Sequence, residues 1–330
     1  MTDVANGNQH PMNLAPGQSL EGAVFEEANL DAANVSGSVL TACSFVRASL
    51  QDANFSTANL THSVLSGVDA KRAVFRQAVL RYVVACGATF DGADMSAADL
   101  LGANLSGATL RECSLEEAEL SGASFEGCDL SGARLGGANL TSANFTGACM
   151  RGAYLAGANL TGAKLDRADL SDAVISDADL SLVSGSGVSF RSGVLERVRA
   201  RGADFSGCDF SNAIASGANF ERATLYGGTM ANFVAEDASY EFADLRQSRL
   251  EHARFTRTSF VGAILLGAEA TACDFAGADF YWAELPDGAI VRWALTTARV
   301  PTGPDETYGP RGVRPPYVRM MPLHRTPSQR

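Results

Sequence analysis

From Leu20 to Val300, residues whose numbers end in 0 or 5 are almost all large and apolar. Fifty of these 57 positions carry Leu, Phe, Ile, Val, Met or Tyr; the exceptions are Ala70, Ala85, Gly185, Ala200, Ala215, Ala235 and Ala270. Two residues earlier the chain is small: 49 of the 56 positions from Ala23 to Ala298 are Ala, Ser, Cys, Gly or Thr. The five-residue phase never slips, so no insertion interrupts it.

A period of five fits neither regular element. In an α-helix five residues turn about 500°, so the apolar positions would wander around the axis. In a flat strand an odd period would send successive large residues to opposite faces. Small-x-large nevertheless has strand spacing within each unit. Both residues therefore point inward, and the chain must turn a corner before the next unit. Glycine marks those corners: 24 of the 33 glycines have numbers ending in 2 or 7, between Gly17 and Gly277. A tight turn with φ > 0 explains the preference. A short side followed by a corner, repeated, makes a closed coil.

Runs such as Ala103-Asn104-Leu105-Ser106-Gly107, Ala138-Asn139-Leu140-Thr141-Ser142 and Ala168-Asp169-Leu170-Ser171-Asp172 carry the signature A(D/N)LXX. On these runs the chain resembles the pentapeptide-repeat proteins over roughly residues 18–300. The resemblance implies an all-β fold, a right-handed quadrilateral parallel β-helix with four pentads to a coil. The 57 pentads would then make about 14 coils, about 65–70 Å long at strand spacing. Residues 1–17 are expected to be a flexible N-terminal segment, 18–300 the β-helix, and 301–330 a Pro/Arg-rich tail.

Several details fit a filled interior. Val68 precedes Ala70, Val83 precedes Ala85, Val198 precedes Ala200, and Phe233 precedes Ala235, so volumes swap within a pentad. Asp129, Arg151, Asp169, Arg191 and Asp209 would alternate down one face as a ladder of opposite charge. Gly185 with Val188 and Phe190, Ala213 with Ala215, and Ala268 with Ala270 are candidate bends. Near the end of the array, Phe280, Tyr281, Trp282, Ile290 and Trp293 suggest an aromatic cap over an open sheet edge, or a dimer contact. Seven of the ten prolines lie in residues 301–330, which cannot continue the coil.

Composition narrows the function. Lys and Arg number 26 against 37 Asp and Glu, a net charge of −11. This opposes direct binding to nucleic acid or anionic membranes and leaves basic partners open. The polar start has no apolar signal region and no stretch could span a bilayer. Five of seven cysteines (Cys43, Cys113, Cys128, Cys208 and Cys273) sit at the small core position. They read as buried free thiols and suit a cytoplasmic protein.

No catalytic, cofactor or metal constellation is visible, and no enzymatic role is expected. The histidines, His10, His62, His252 and His324, are few and far apart. The recurring Asp and Asn belong to the repeat itself. Two functions remain. One is a topoisomerase-directed DNA mimic, since some proteins of the resembled family are acidic dimeric rods that bind DNA gyrase and give resistance to its poisons. Here the acidity is spread over all four sides, and Lys71, Arg72, Arg76 and Arg81 form an expected positive patch. The preferred reading is a non-enzymatic scaffold or accessory protein, in one variant beside a bacterial secretion or assembly machine. Tyr154, Val174, Val194, Ile214 and Val234 recur at the outward position of every fourth pentad and would stack into an apolar column. That column, with Tyr281, Trp282 and Trp293, is the candidate surface for a partner or a second copy, and the tail could also cover it.

Overall fold

The computed structural model describes residues 14–286. The expected boundaries at 300–301 and the residues Ile290 and Trp293 lie outside that range. Each outward residue pairs in parallel with the outward residue four pentads on, unbroken from Ser19 with Val39 to Ile264 with Glu284. A coil is therefore four pentads, one to a side. We call the sides A (Val24, Ser44 … Glu284), B (Asn29, Ser49 … Glu269), C (Asn34, Asn54 … Asp274) and D (Ser19, Val39 … Asp279). The fold is the right-handed quadrilateral β-helix.

One pentad shows how backbone groups are satisfied. The Tyr154 N–H donates back to the Ala133 carbonyl at 2.9 Å. The Leu155 and Gly157 N–H groups donate forward to Val174 and Ser176, at 2.7 and 2.9 Å. The Ala158 N–H closes the corner onto Leu155 at 3.0 Å. The second corner residue has positive φ, the arrangement of a type II turn. Thirty corner residues other than glycine accept this conformation, with φ between 54° and 63°. Four of them are arginines that reach back to a carboxylate one coil earlier: Arg47 to Glu27, Arg72 to Asp52, Arg197 to Asp177 and Arg257 to Asp237.

The fifth N–H, on the first corner residue, explains the Asp or Asn of the repeat. The side-chain oxygen of the outward residue accepts it, as in Asn54 to Ser56 (2.9 Å) and Asp209 to Ser211 (2.9 Å). The small core position tolerates hydroxyls and thiols for a similar reason. Ser63 donates to the Leu40 carbonyl (2.6 Å), Cys128 to Leu105 (3.0 Å) and Cys208 to Gly185 (2.9 Å). Burial pushes the Cys128 thiol up to about 11 and Cys208 up to about 12, so neither is a nucleophile at neutral pH.

The interior is a solid stack of buried side chains. Rings meet face to face one coil apart, as in Phe25–Phe45 (4.9 Å), Phe190–Phe210 (4.9 Å) and Phe220–Tyr240 (4.9 Å). The swapped pairs, such as Val68 with Ala70 and Phe233 with Ala235, are fully buried. The ladder crosses the coil around Gly185 without a gap, because the Phe205 ring occupies the space a side chain would take.

Two electrostatic expectations need correction. Lys71, Arg72, Arg76 and Arg81 form no positive patch: they pair with Asp69, Asp52, Asp94 and Asp99. The ladder from Asp129 to Asp209 is discontinuous. It consists of separate pairs in which a corner arginine meets the outward aspartate of the following coil: Arg111–Asp129, Arg151–Asp169 and Arg191–Asp209. A side chain at the first corner position lies beside the outward residue of the next coil, and this offset cannot be read from face assignment alone.

The packing and the ion pairs can each be tested. The Tyr240 hydroxyl is fully buried, without a hydrogen-bond partner, between the rings of Phe220 and Phe260. Tyr240→Phe should raise unfolding free energy by about 1 kcal/mol in a urea titration, since an unpaired buried hydroxyl costs that much or more; a loss of stability would contradict the packing. Secondly, hydrogen bonds from arginine hold Asp52, Asp177 and Asp237 below the usual carboxylate range. Their stabilising effect is complete above the unfolded-chain value of about 3.9 and is lost as pH falls through the lower folded values. Melting temperature should stay level between about pH 5 and 7 and fall below about pH 4; circular dichroism at each pH measures it.

Candidate interaction surface

The outward residues of side C change character along the rod. Early on they include Asn34, Asn54 and Asp94, each accepting the corner N–H two residues later, with Val74 between the last two. Asp274 caps its corner in the same way near the far end. Between Asp94 and Asp274 the ladder passes Ser114 and then runs Arg134–Tyr154–Val174–Val194–Ile214–Val234–Arg254. The five apolar residues predicted from spacing are thus brought together in consecutive coils. The column spans four inter-coil steps, about 19 Å. Tyr154 is 45% and Ile214 38% exposed, and the three valines are half-buried.

None of these five side chains can accept the corner hydrogen bond that Asp or Asn takes. Among the described residues, no side chain caps the N–H of Ala156, Ser176, Glu196, Ser216 or Glu236, the groups that Asp or Asn serves elsewhere on this side. β-branched residues favour an extended backbone, which recovers part of the difference. Valine also takes the outward position elsewhere, at Val24, Val39, Val64, Val74, Val79 and Val84, but among the described residues side C is where five apolar outward residues follow one another in consecutive coils.

The surroundings define the surface further. Arginines close both ends of the column; Arg134 also pairs with Glu116 at 2.7 Å and Arg254 with Glu236 at 3.7 Å. One edge carries Arg197–Asp177 and Arg257–Asp237, each a two-pronged pair at 2.6–2.7 Å. The other edge carries Arg151–Asp172 (3.4 Å) and Arg191–Asp209 (3.0 Å). An apolar strip between charged rims is the layout of a protein–protein contact, a dry centre with a polar border. Tyr154 lies flat because corner residue Gly136 has no side chain; a Cβ there would meet the ring at 3.0 Å.

The other candidates divide. Tyr281 and Trp282 stack on each other at 4.6 Å and are half-buried in the last described coil, beyond the end of the apolar column. Trp293 lies outside the described residues. Sequence reading missed Arg134 and Arg254, which share the column's spacing and needed only the same count carried one step further each way. It also missed exposed apolar corner residues, among them Leu182 (66%) and Phe242 (46%). Phe242 rests over Gly262 of the next coil, beneath the Arg222 guanidinium at 5.7 Å.

The missing caps make a direct prediction. Val194→Asn or Ile214→Asn should leave unfolding free energy unchanged within about 0.5 kcal/mol or raise it, because the new oxygen can accept the corner N–H. Equilibrium denaturation checks this; a loss of more than about 2 kcal/mol would mean that these side chains serve the fold itself.

Comparison with known proteins agrees with the architecture. The family described as Pentapeptide repeats matches in eight copies over residues 19–56, 118–155, 153–184, 186–230 and 241–277, and a Pentapeptide repeat region matches 38–120. No curated protein matches the chain. Among solved structures it is similar to HetL, a pentapeptide repeat protein involved in heterocyst differentiation regulation in the cyanobacterium Nostoc. The identity is 26%, covering 86% of this chain and 93% of HetL, with a TM-score of 0.30. It is also similar to QnrB1, a plasmid-mediated fluoroquinolone resistance protein, at 20% identity over 72% of this chain and 97% of that one, TM-score 0.34. A thylakoid-lumen pentapeptide repeat protein of Arabidopsis thaliana is 30% identical over 41% of this chain and 70% of its own, TM-score 0.17. With repeat matches over more than half its length and a four-sided coil of four pentads, the chain belongs to the pentapeptide-repeat family.

Proposed function

We propose that the protein is a non-enzymatic interaction scaffold that docks a partner protein through side C, over the column from Tyr154 to Val234. The carrying observation is that apolar residues hold the outward position of side C in five consecutive coils, a run that no other side shows among the described residues. Exposed apolar residues stacked over about 19 Å and bordered by charge form a docking strip. The solid core supports the same reading, because the usable surface of the rod is its outside.

The DNA-mimic alternative asks for a concentrated acidic stripe. The ion pairs work against one: among the described residues, every lysine and arginine except Lys164, Arg167 and Arg249 lies within 4 Å of a carboxylate. Carboxylates without a cation, such as Asp91, Glu126, Asp166 and Glu269, are scattered over different sides.

A photo-crosslinking residue placed at Val194 should capture a protein in extracts of the native host. The same residue at Asp204, in the same region of the rod on side A, should capture little. Equal yields at both sites would remove the case for side C. Inhibition of gyrase supercoiling by the purified protein, undiminished by Val194→Asp with Ile214→Asp, would favour the DNA-mimic reading instead.

A further inference from the structure

We infer that the occupant of side C is a second copy of this chain, packed face to face with its rod antiparallel. The inference rests on the docking reading above and adds the partner and its register. Consider a two-fold axis lying across side C between Val194 and Ile214. It brings Val194 onto Ile214 of the other copy and Val174 onto Val234. Tyr154 then meets Arg254, whose guanidinium can lie on the ring. Arg134 meets the exposed carboxylate of Asp274, which uses only one oxygen for its own corner N–H. Every member of the column acquires a partner, and the arginines at its ends acquire an aromatic ring or an acid.

The corners agree with this register. Arg151 comes opposite Glu251, an exposed acid with no cation within 4 Å among the described residues. Large corner residues come opposite small ones: Glu236 over Ser176, Glu196 over Ser216, and Arg257 over Gly157. One pair, Asp177 with Asp237, is of like charge, and each of these carboxylates already holds an arginine of its own chain.

Other registers fit less well. With the axis at Val194, Arg134 faces Arg254. With the axis at Ile214, Val174 faces Arg254 and Tyr154 faces Asp274. With the rods parallel, each arginine faces itself. Like charges brought together at an interface are strongly unfavourable, so one arrangement stands out.

From Arg134 to Asp274 the strip is seven coil steps, about 34 Å, and a side with its corners is about 15 Å wide. Both copies together would bury about 1,000 Å², the low end for specific contacts, so association should be reversible and of micromolar strength. Sedimentation of the full chain from about 1 to 200 µM should show a shift from 34.5 kDa towards twice that mass. Val194→Asp with Ile214→Asp should weaken self-association at least tenfold while the melting curve stays in place. Arg151→Glu should weaken it, and adding Glu251→Arg in the same chain should restore it. A monomer throughout, a dimer indifferent to Val194→Asp with Ile214→Asp, or no rescue by the double charge swap would overturn the inference. If the protein is monomeric but crosslinks from position 194 contain a different chain, the docking reading stands and only the second copy is refuted.

Discussion

At every fifth residue the backbone enters the left-handed region, and the rod depends on that corner. With φ positive at the second turn residue, the chain swings onto a new side while keeping both the small and the large residue pointing inward. Four such corners close a coil, and closure brings each outward residue beside its counterpart one coil later. The inter-coil hydrogen bonds, the stacked Phe and Leu columns and the arginine–carboxylate corner pairs all follow from this registration. Without it the same side chains would alternate between faces of a strand and bury nothing.

The division of labour within a pentad explains which positions are free to vary. Two positions point inward and are held to small and large by packing. The corner positions are constrained by backbone conformation, and four of them carry arginines paired with a carboxylate one coil earlier, such as Arg197 with Asp177. The outward position between them is the freest, with one preference, an oxygen to accept the corner N–H. Side C sets that preference aside in every coil from Ser114 to Arg254, with apolar residues from Tyr154 to Val234, and keeps it at Asp94 and Asp274.

Pairing of charges sets the character of the surface. The chain is acidic overall, yet most of its arginines lie against carboxylates of the same or a neighbouring coil. The rims of the apolar strip are therefore charges of both signs, each held by a neighbour of opposite sign. Solvent screening keeps each exposed pair weak, so none of them adds much to stability.

Periodicity determined the phase and the inward residues, because a strict five-residue repeat of small and large positions is buried only if both point inward. The four pentads to a coil, and with them the stacking of Tyr154, Val174, Val194, Ile214 and Val234, followed from the resemblance of the repeat to its family. Periodicity also located the glycine-rich corners. The positive patch at Lys71–Arg81 and the continuous ladder through Arg151 were misread. Charges assigned by face ignore the offsets at which side chains of neighbouring coils meet. The missing N–H caps beneath the column and the flat seat of Tyr154 on Gly136 also needed tertiary structure. Each depends on the position of an atom in the next turn of the coil, a distance that sequence spacing does not encode.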